Sequence, residues 1–285
     1  MAENGNKPYK AHVLVLPYPA QGHINPMLQF CKRLTSKGLK ITLVNTIFIS
    51  KKIQFSTSSL ISFATISDGY DQGREAQADS TESYMARFRS VGSETLSDLI
   101  KKLDGQGSRV DGLVYDPLFG PDLANLSCAT SNVYHHVYKG ILKLPIEEGK
   151  GILVPGMPPL ERSEAPSFVG DYGSYPAVYD MLVNQFSNIH KADWVLFNTF
   201  YDLEEEVVDR MAKLWRMRTI GPAVPSIYLD KQLQDDKDYG LSLFQPKSTE
   251  CMNWLNTKPA NSVIYVSFGS MADLEPEQFE EIAWV

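Results

Sequence analysis

The sequence has few cysteines, no long hydrophobic run and no excess of basic residues. Its three cysteines, Cys31, Cys128 and Cys251, are far apart and odd in number, which excludes a disulfide framework and a CxxC metal site and predicts buried free thiols. No stretch of about 18 uncharged apolar residues occurs and the start of the chain is polar, so we expect a cytoplasmic protein without a membrane span. With 27 basic and 34 acidic residues the formal net charge is −7, which argues against nucleic acid as a partner.

The sequence also lacks the common glycine-rich signatures. Neither GxGxxG nor a P-loop is present, so a classical dinucleotide or Walker site has no support and an oxidoreductase is disfavoured. A GxSxG elbow is absent as well. The pair His135-His136 is adjacent in sequence, so its side chains diverge on a helix, and no carboxylates at suitable spacing complete a ligand set. The sequence therefore predicts no metal site.

Short apolar runs alternate with segments of helical periodicity in the first 115 residues. Strands are predicted at residues 11–17, 39–45, 60–66 and 110–115, and helices at 26–37, where Asn25-Pro26 offers an N-cap, and at 84–103. Alternating strands and helices with right-handed crossovers predict an α/β fold with a parallel, doubly wound sheet.

The second half of the chain shows a weaker alternation. Residues 117–170 are rich in proline and predict an irregular surface loop. Further helices are expected at 175–189, 203–214, around Trp254 and from Pro276, and strands at 194–197 and 262–266. The acidic, irregular stretch near 227–247 divides the chain, which gives an N-terminal domain at 1–230, a linker at 231–247 and the start of a second α/β domain at 248–285.

The most distinctive short motif is the segment Pro17-Tyr-Pro-Ala-Gln-Gly-His23, between the first strand and the first helix. In open α/β sheets ligands bind beyond the carboxyl ends of the strands, so His23 stands where chemistry normally occurs. The positive end of the helix favours a neutral imidazole, the form that a general base needs. The alternative is a polar loop residue that only satisfies backbone groups.

A carboxylate commonly holds such a base in one tautomer. Asp116 follows the strand at 110–115 and emerges at the same edge as His23, whereas Asp111 precedes that strand and should lie at the opposite edge. Taken alone, the residue pattern favours a cap of the strand end over a catalytic role for Asp116. The turn Ser267-Phe-Gly-Ser270 follows another predicted strand, and its backbone N–H groups and hydroxyl could meet a phosphate.

Together these motifs resemble the plant family 1 UDP-glycosyltransferases, and most closely the group that glucosylates carboxylic acids and phenolics. The matching segments cover almost the whole chain: PYPAQGHINP at 17–26, ISDGY at 66–70, VYDP at 114–117, ADWVLFNTF at 192–200, IGP at 220–222 and WLNTKPANSVIYVSFGSM at 254–271. The resemblance implies a GT-B fold, in which a Rossmann-like N-terminal domain binds the acceptor and a second Rossmann-like domain binds the UDP-sugar.

The resemblance also implies a role for individual residues. His23 corresponds to the catalytic base and Asp116 to the carboxylate that orients it, while Gly22 allows donor and acceptor to approach and Ser270 contacts UDP. Transfer of glucose from UDP-glucose, a co-substrate, to a hydroxyl or carboxyl group would proceed with inversion, without a metal or a bound cofactor. We expect a monomer when the protein is fully folded.

The sequence departs from the family pattern in two places. The family's C-terminal signature box would lie beyond Val285, and only residues 118–127 intervene where the family has a helix and a further strand. From these departures we expect the 285-residue chain to be inactive by itself and its N-terminal sheet to lack an element. The alternative function is a non-catalytic remnant that binds a small molecule.

Overall fold

The computed structural model describes residues 9–53, 61–116, 127–243, 247–268 and 274–284 of the chain. It divides into two compact units, Met1–Leu241 and Ser242–Val285. The assignment of an acceptor domain, a linker and a donor domain stays a prediction. No helix in the described ranges is long and apolar enough to cross a membrane.

The first unit is built on a four-stranded parallel sheet. Its strands are β1 (His12–Leu16), β2 (Lys40–Thr46), β3 (Ile61–Ile66) and β4 (Gly112–Tyr115), in the order β3-β2-β1-β4. Apolar, β-branched runs form these strands because both faces of a parallel sheet are usually covered. The predicted parallel α/β fold is therefore confirmed for this part of the chain.

Helix α1 (Gln21–Ser36) connects β1 to β2, and the short helix α2 (Ile47–Lys52) follows β2. The prediction that α1 begins at Pro26 is wrong, because the extended Ala20 is the N-cap and its carbonyl accepts from the backbone N–H groups of His23 and Ile24. Pro26 lies inside the helix. Asn25 and Pro26 have the residue types that are typical of an N-cap and of a first helical position. The helix nevertheless begins about one and a half turns earlier, after Ala20.

The predicted helix at 84–103 exists but is interrupted. It consists of α3 (Thr81–Arg87), a π-helical turn (Phe88–Gly92) and α4 (Ser93–Gly105). Buried Tyr84 and Phe88 from this stretch pack with apolar residues of β1 and the loop after it. Because the π turn adds residues without breaking the helix, the side chains that face the core can differ between α3 and α4.

Helix α5 (Cys128–Tyr138) lies where an irregular loop was predicted. It is followed by α6 (Ser167–Gly170) and α7 (Pro176–Asn184), and its Val133 and Tyr134 pack in a second core with Leu182. The loop prediction is wrong for this segment because four of the buried α5 residues are polar, which hides the apolar periodicity: Ser131, Asn132, His135 and His136. Residues 117–126 lie outside the described residues.

A second, two-stranded parallel sheet pairs β5 (Val195–Phe197) with β6 (Met217–Thr219), joined through α8 (Glu205–Met211). Short 3₁₀ helices occur before, between and after these elements: Arg74–Gln77, Arg162–Glu164, Gln185–Ser187, Ile189–Lys191, Tyr201–Leu203 and Ser226–Tyr228. Among the described strands none pairs with the free edge of β4, whose Leu113 and Tyr115 are 42% and 45% exposed.

The acidic segment after residue 226 lies against α1. Lys32 Nζ is 2.6 Å from Asp236 Oδ1, and the guanidinium of Arg33 pairs with both oxygens of Asp230. The Asp236 carboxylate also accepts from the backbone N–H of buried Ser226. These ion pairs fix the segment up to Leu241 to the first unit.

The second unit contains α9 (Ser248–Leu255) and α10 (Pro276–Ala283). The predicted strand at 262–266 is wrong, since residues 262–268 have no regular secondary structure and Ile264 and Tyr265 are each 88% exposed. An apolar, β-branched run forms a strand only where a neighbouring strand pairs with its backbone. The described part of this unit offers no such neighbour.

Candidate active site

Two neighbouring strands position the candidate catalytic residues. β1 and β4 are paired with Leu16 opposite Tyr115, and the backbone N–H of Asp116 donates to the Leu16 carbonyl (3.0 Å), one residue past the strand. From the end of β1 the chain turns through Tyr18 and enters α1, which places His23 in the first helical turn. Both residues thus lie beyond the carboxyl edge of the sheet.

The side chains of His23 and Asp116 are in direct contact, although 93 positions separate them. His23 Nδ1 lies 2.5 Å from Asp116 Oδ2, and the two side chains are 0% and 9% exposed. A carboxylate can only accept a hydrogen bond, so the proton of this contact belongs to Nδ1. Neutral His23 then carries its lone pair on Nε2, the nitrogen available to accept a proton.

Tyr18 forms one wall of this pair and was not singled out by the sequence analysis. Its ring centroid lies 5.0 Å from that of His23, and its side chain is fully buried. Burial raises the pKa of Tyr18 to about 12, so the phenol is neutral at pH 7. The signal in the sequence was its place between the first strand and His23.

Gly22 is exposed at the start of α1, immediately before His23. A Cβ added at Gly22 would have no atom within 4 Å, so the backbone is open on this side. That opening is compatible with close approach of a ligand, and the donor-binding role of Gly22 stays a prediction. Ser270 lies outside the described residues.

Asp111 occupies the opposite edge of the sheet, as the sequence analysis expected. Its Oδ2 accepts from the backbone N–H of His12 at the start of β1 (2.9 Å). The buried His12 ring is satisfied by the Ser108 carbonyl and the Thr42 hydroxyl. These groups hold the sheet together at the edge away from His23.

The histidines of α5 form a separate cluster. His135 packs edge-on against Trp215 and Phe186, with ring centroids 4.7 Å and 5.3 Å away. Burial, supported by the neighbouring His136 and Lys139, lowers the pKa of His135 to about 4. In the described part of the chain no group of three or more His, Cys, Asp or Glu side chains could hold a metal ion.

A surface cavity of about 430 Å³ lies beside the two-stranded sheet, away from His23. The cavity is lined by Trp194 and residues 212–218. Its lining includes neither His23 nor Asp116. We therefore take the buried pair as the candidate active site.

Three comparisons with known proteins support an assignment to a family. Residues 10–61 match the family model described as glycosyltransferase, N-terminal domain. The chain is 43% identical over 290 residues to UDP-glycosyltransferase 74F2 from Arabidopsis thaliana, and equally to flavonol 7-O-beta-glucosyltransferase UGT74F1 from the same plant. Each alignment covers 96% of this chain and 63% of the relative, so the chain spans less than two thirds of their length.

The solved structures show the same relationship. The crystal structure of Os79 from O. sativa in complex with UDP matches with a TM-score of 0.83 at 33% identity, over 95% of this chain and 64% of Os79. A second structure of Os79, in complex with U2F and trichothecene, matches with a TM-score of 0.79 at 32% identity, over 95% and 63%. This likeness confirms the predicted α/β fold of the GT-B type. Over the region that it shares with these relatives, the chain is similar to plant UDP-glycosyltransferases.

Proposed function

We propose that the chain contributes the acceptor side of a UDP-glucosyltransferase, which transfers glucose from UDP-glucose to a hydroxyl or carboxyl group of a small plant metabolite. The observation that carries this proposal is the buried contact between His23 and Asp116 beyond the carboxyl ends of two parallel strands. The names of the relatives, a flavonol glucosyltransferase among them, support the sugar and the type of acceptor.

The geometry suits general base catalysis. With Nδ1–H donated to Asp116, the Nε2 of His23 takes the proton of the acceptor hydroxyl, and the Asp116 carboxylate stabilises the imidazolium that results. The acceptor oxygen forms its new bond to the anomeric carbon as the bond from that carbon to UDP breaks. Attack from the face opposite the leaving UDP inverts the configuration. In this proposal no metal and no bound cofactor takes part.

A carboxylic acid acceptor makes a different demand on the pair. Its pKa of about 4 leaves it ionised at pH 7, so no proton has to be removed before attack. His23 then positions the acceptor instead of deprotonating it. We therefore expect phenols to depend more strongly than carboxylic acids on the Asp116 carboxylate.

The remaining assignments belong to the same proposal. Residues 1–230 form the acceptor domain, 231–247 the linker and 248–285 the beginning of the UDP-sugar domain, with Gly22 and Ser270 near the donor. A fully folded enzyme would be a cytoplasmic monomer. Its partners are the UDP-sugar and the small acceptor, without nucleic acid or membrane.

A chimera tests the roles of both residues. Residues 1–285 are followed by the C-terminal third of Arabidopsis UDP-glycosyltransferase 74F2, and radiolabelled UDP-glucose is offered with a phenol or a benzoic acid. We expect His23→Ala to lower transfer to the phenol by about 10²–10⁴-fold, and Asp116→Asn to impair phenols more than acids. His190→Ala, at an exposed histidine, is the matched control. Full activity of His23→Ala would contradict the proposal.

The same assay on the 285-residue chain alone separates catalysis from the binding-module alternative. Labelled conjugate that disappears with His23→Ala would show that this chain itself is sufficient for transfer. Binding of the acceptor without conjugate would favour the binding module.

A further inference from the structure

The surface cavity beside the two-stranded sheet is built from residues that lead into both of its strands. Trp194 immediately precedes β5, and residues 212–216 connect α8 to β6, whose first two residues complete the lining. The cavity therefore lies at the amino ends of β5 and β6, whereas the candidate active site lies beyond the carboxyl ends of β1 and β4. Its volume of about 430 Å³ falls within the range of small-molecule sites, about 300–1,000 Å³.

Two tryptophan side chains give the cavity aromatic walls that their neighbours hold in place. The Trp215 ring stacks on Phe186, with ring centroids 5.8 Å apart and an angle of 15° between the planes, and His135 packs edge-on against it. The guanidinium carbon of Arg218 lies 4.9 Å from the centre of the Trp194 ring. Because both indoles are positioned before a ligand arrives, little side-chain freedom is lost when a planar ring packs against them.

Three cations share the lining with these rings. Lys213, Arg216 and Arg218 are exposed, and within the described part of the chain none of them forms an ion pair with a carboxylate. The described lining contains no acidic side chain, and Asp193, next to Trp194 in sequence, is not part of it. The cavity is therefore a locally positive surface on a chain whose formal net charge is −7, and it attracts anions.

We propose that this cavity is a second ligand site, which binds a planar aromatic anion separately from the acceptor and the UDP-sugar. The indoles supply the apolar surface for the ring, and the guanidinium groups of Arg216 and Arg218 donate to the anionic oxygens. Arg218 already donates one of its N–H groups to the Met217 carbonyl (2.8 Å), and its other N–H groups are sufficient for such contacts. This inference does not depend on the proposed function, because neither His23 nor Asp116 lines the cavity.

Binding to the 285-residue chain tests the inference without a transfer reaction. The probes are naphthalene-1-sulfonate and naphthalene-1-sulfonamide, which share a ring system, differ in charge at pH 7 and have no hydroxyl or carboxyl group that could be glucosylated. Their dissociation constants are measured by calorimetry at low ionic strength. We expect the sulfonate to bind about tenfold more tightly, because three cations act together on its charge. The difference should shrink as salt is added, since these cations are exposed.

Variants show whether the cavity causes the difference. The double substitution Arg216→Gln and Arg218→Gln should bring the two affinities together, and Trp194→Leu should weaken the binding of both probes, with circular dichroism confirming that the variants fold. The matched control is Arg89→Gln with Arg109→Gln, because it removes the same charge from two exposed arginines outside the lining. This control should keep the full preference for the sulfonate.

Four results would overturn the second site. These are equal affinity of the wild-type chain for sulfonate and sulfonamide, a preference that survives the substitution of Arg216 and Arg218, an equal loss of preference in the control variant, and no binding of either probe. None of them bears on the proposed glucose transfer, which is measured in the chimera through His23 and Asp116. The two proposals therefore fail separately.

Discussion

At the scale of single residues, the partners of the ring nitrogens distinguish three histidines that are all buried: His12, His23 and His135. His23 has a carboxylate on Nδ1, whereas the Nδ1 of His135 has no partner within the described ranges. His12 is buried with both ring nitrogens engaged by neutral groups. The imidazole that combines a carboxylate with a position at the carboxyl edge of the sheet is His23.

His135 makes stability depend on pH. Burial favours its neutral form and lowers the pKa to about 4 in the folded state, against the ordinary histidine value of 6.5. The unfolded chain therefore binds more protons between these values, so stability is fully present above pH 6.5 and is lost as pH falls towards 4. Since one pKa unit corresponds to about 1.4 kcal/mol, the loss should be on the order of 2–3 kcal/mol.

Urea denaturation between pH 7 and pH 4 measures this effect. His135→Phe should flatten the pH dependence, because the ring lies among Trp215 and Phe186 and loses no hydrogen bond at Nδ1. The contribution of His12, whose pKa is also lowered by burial, remains in the variant. The exposed His190→Phe should retain the wild-type dependence. If the free energy of unfolding of His135→Phe depended on pH as it does in the wild-type chain, another group would be responsible for that dependence.

At the scale of elements, the π-helical turn between α3 and α4 depends on a glycine. A Cβ at Gly92 would meet the ring of buried Phe88 at 2.8 Å and 2.9 Å. An aromatic ring in a packed core cannot retreat without displacing its neighbours, so we expect Gly92→Ala to destabilise the chain by about 1–3 kcal/mol.

Gly105 at the end of α4 supplies the matched control. A Cβ at Gly105 would have no atom within 4 Å, so Gly105→Ala should be neutral or stabilise the helix by up to about 1 kcal/mol. The two free energies of unfolding are compared by urea titration. Equal effects of both substitutions would contradict the close contact between Gly92 and Phe88.

The sheet and the meeting of His23 with Asp116 could be predicted from local patterns. Branched apolar runs identify β1 and β4, and the rule that parallel strands end at a common edge then brings the two side chains together. Other features depend on contacts that a local pattern does not contain. The polar residues of α5 are buried only because a second core surrounds that helix.

The run at 262–266 illustrates the opposite error. Its residues have a high preference for strands, so the sequence predicts a strand there. The hydrogen bonds of a strand come from its neighbours, however, and the described part of the second unit provides none. Strand preference alone could not reveal this.

At the scale of the whole molecule, the two units differ in how much apolar surface they bury. The first unit contains extended cores with many fully buried side chains, including Leu14, Ile24 and Leu182. In the second unit the large apolar side chains are exposed, with Ile264, Tyr265 and Trp284 each at 88%. Segments that bury little surface open most easily and are cut first by proteases.

Limited proteolysis with chymotrypsin, followed by mass spectrometry, measures this difference. We expect early cleavage after Tyr265 or Phe268, and a more resistant fragment that contains the first unit up to Leu241. Tyr18 and Tyr84, which are fully buried, serve as internal controls and should not be early cleavage sites. Early cleavage at these tyrosines, with the second unit intact, would contradict the relative stabilities inferred here.

In the proposed mechanism, Asp116 holds His23 as a base with its proton on Nδ1 and its lone pair on Nε2. Long-range ¹H–¹⁵N correlation spectra of the histidine rings in the 285-residue chain measure this tautomer directly. We expect a protonated Nδ1 in neutral His23, and a shift of the proton towards Nε2 in Asp116→Asn, whose amide can donate to Nδ1. A proton on Nε2 in the wild-type chain, or a His23 tautomer unaffected by Asp116→Asn, would contradict it.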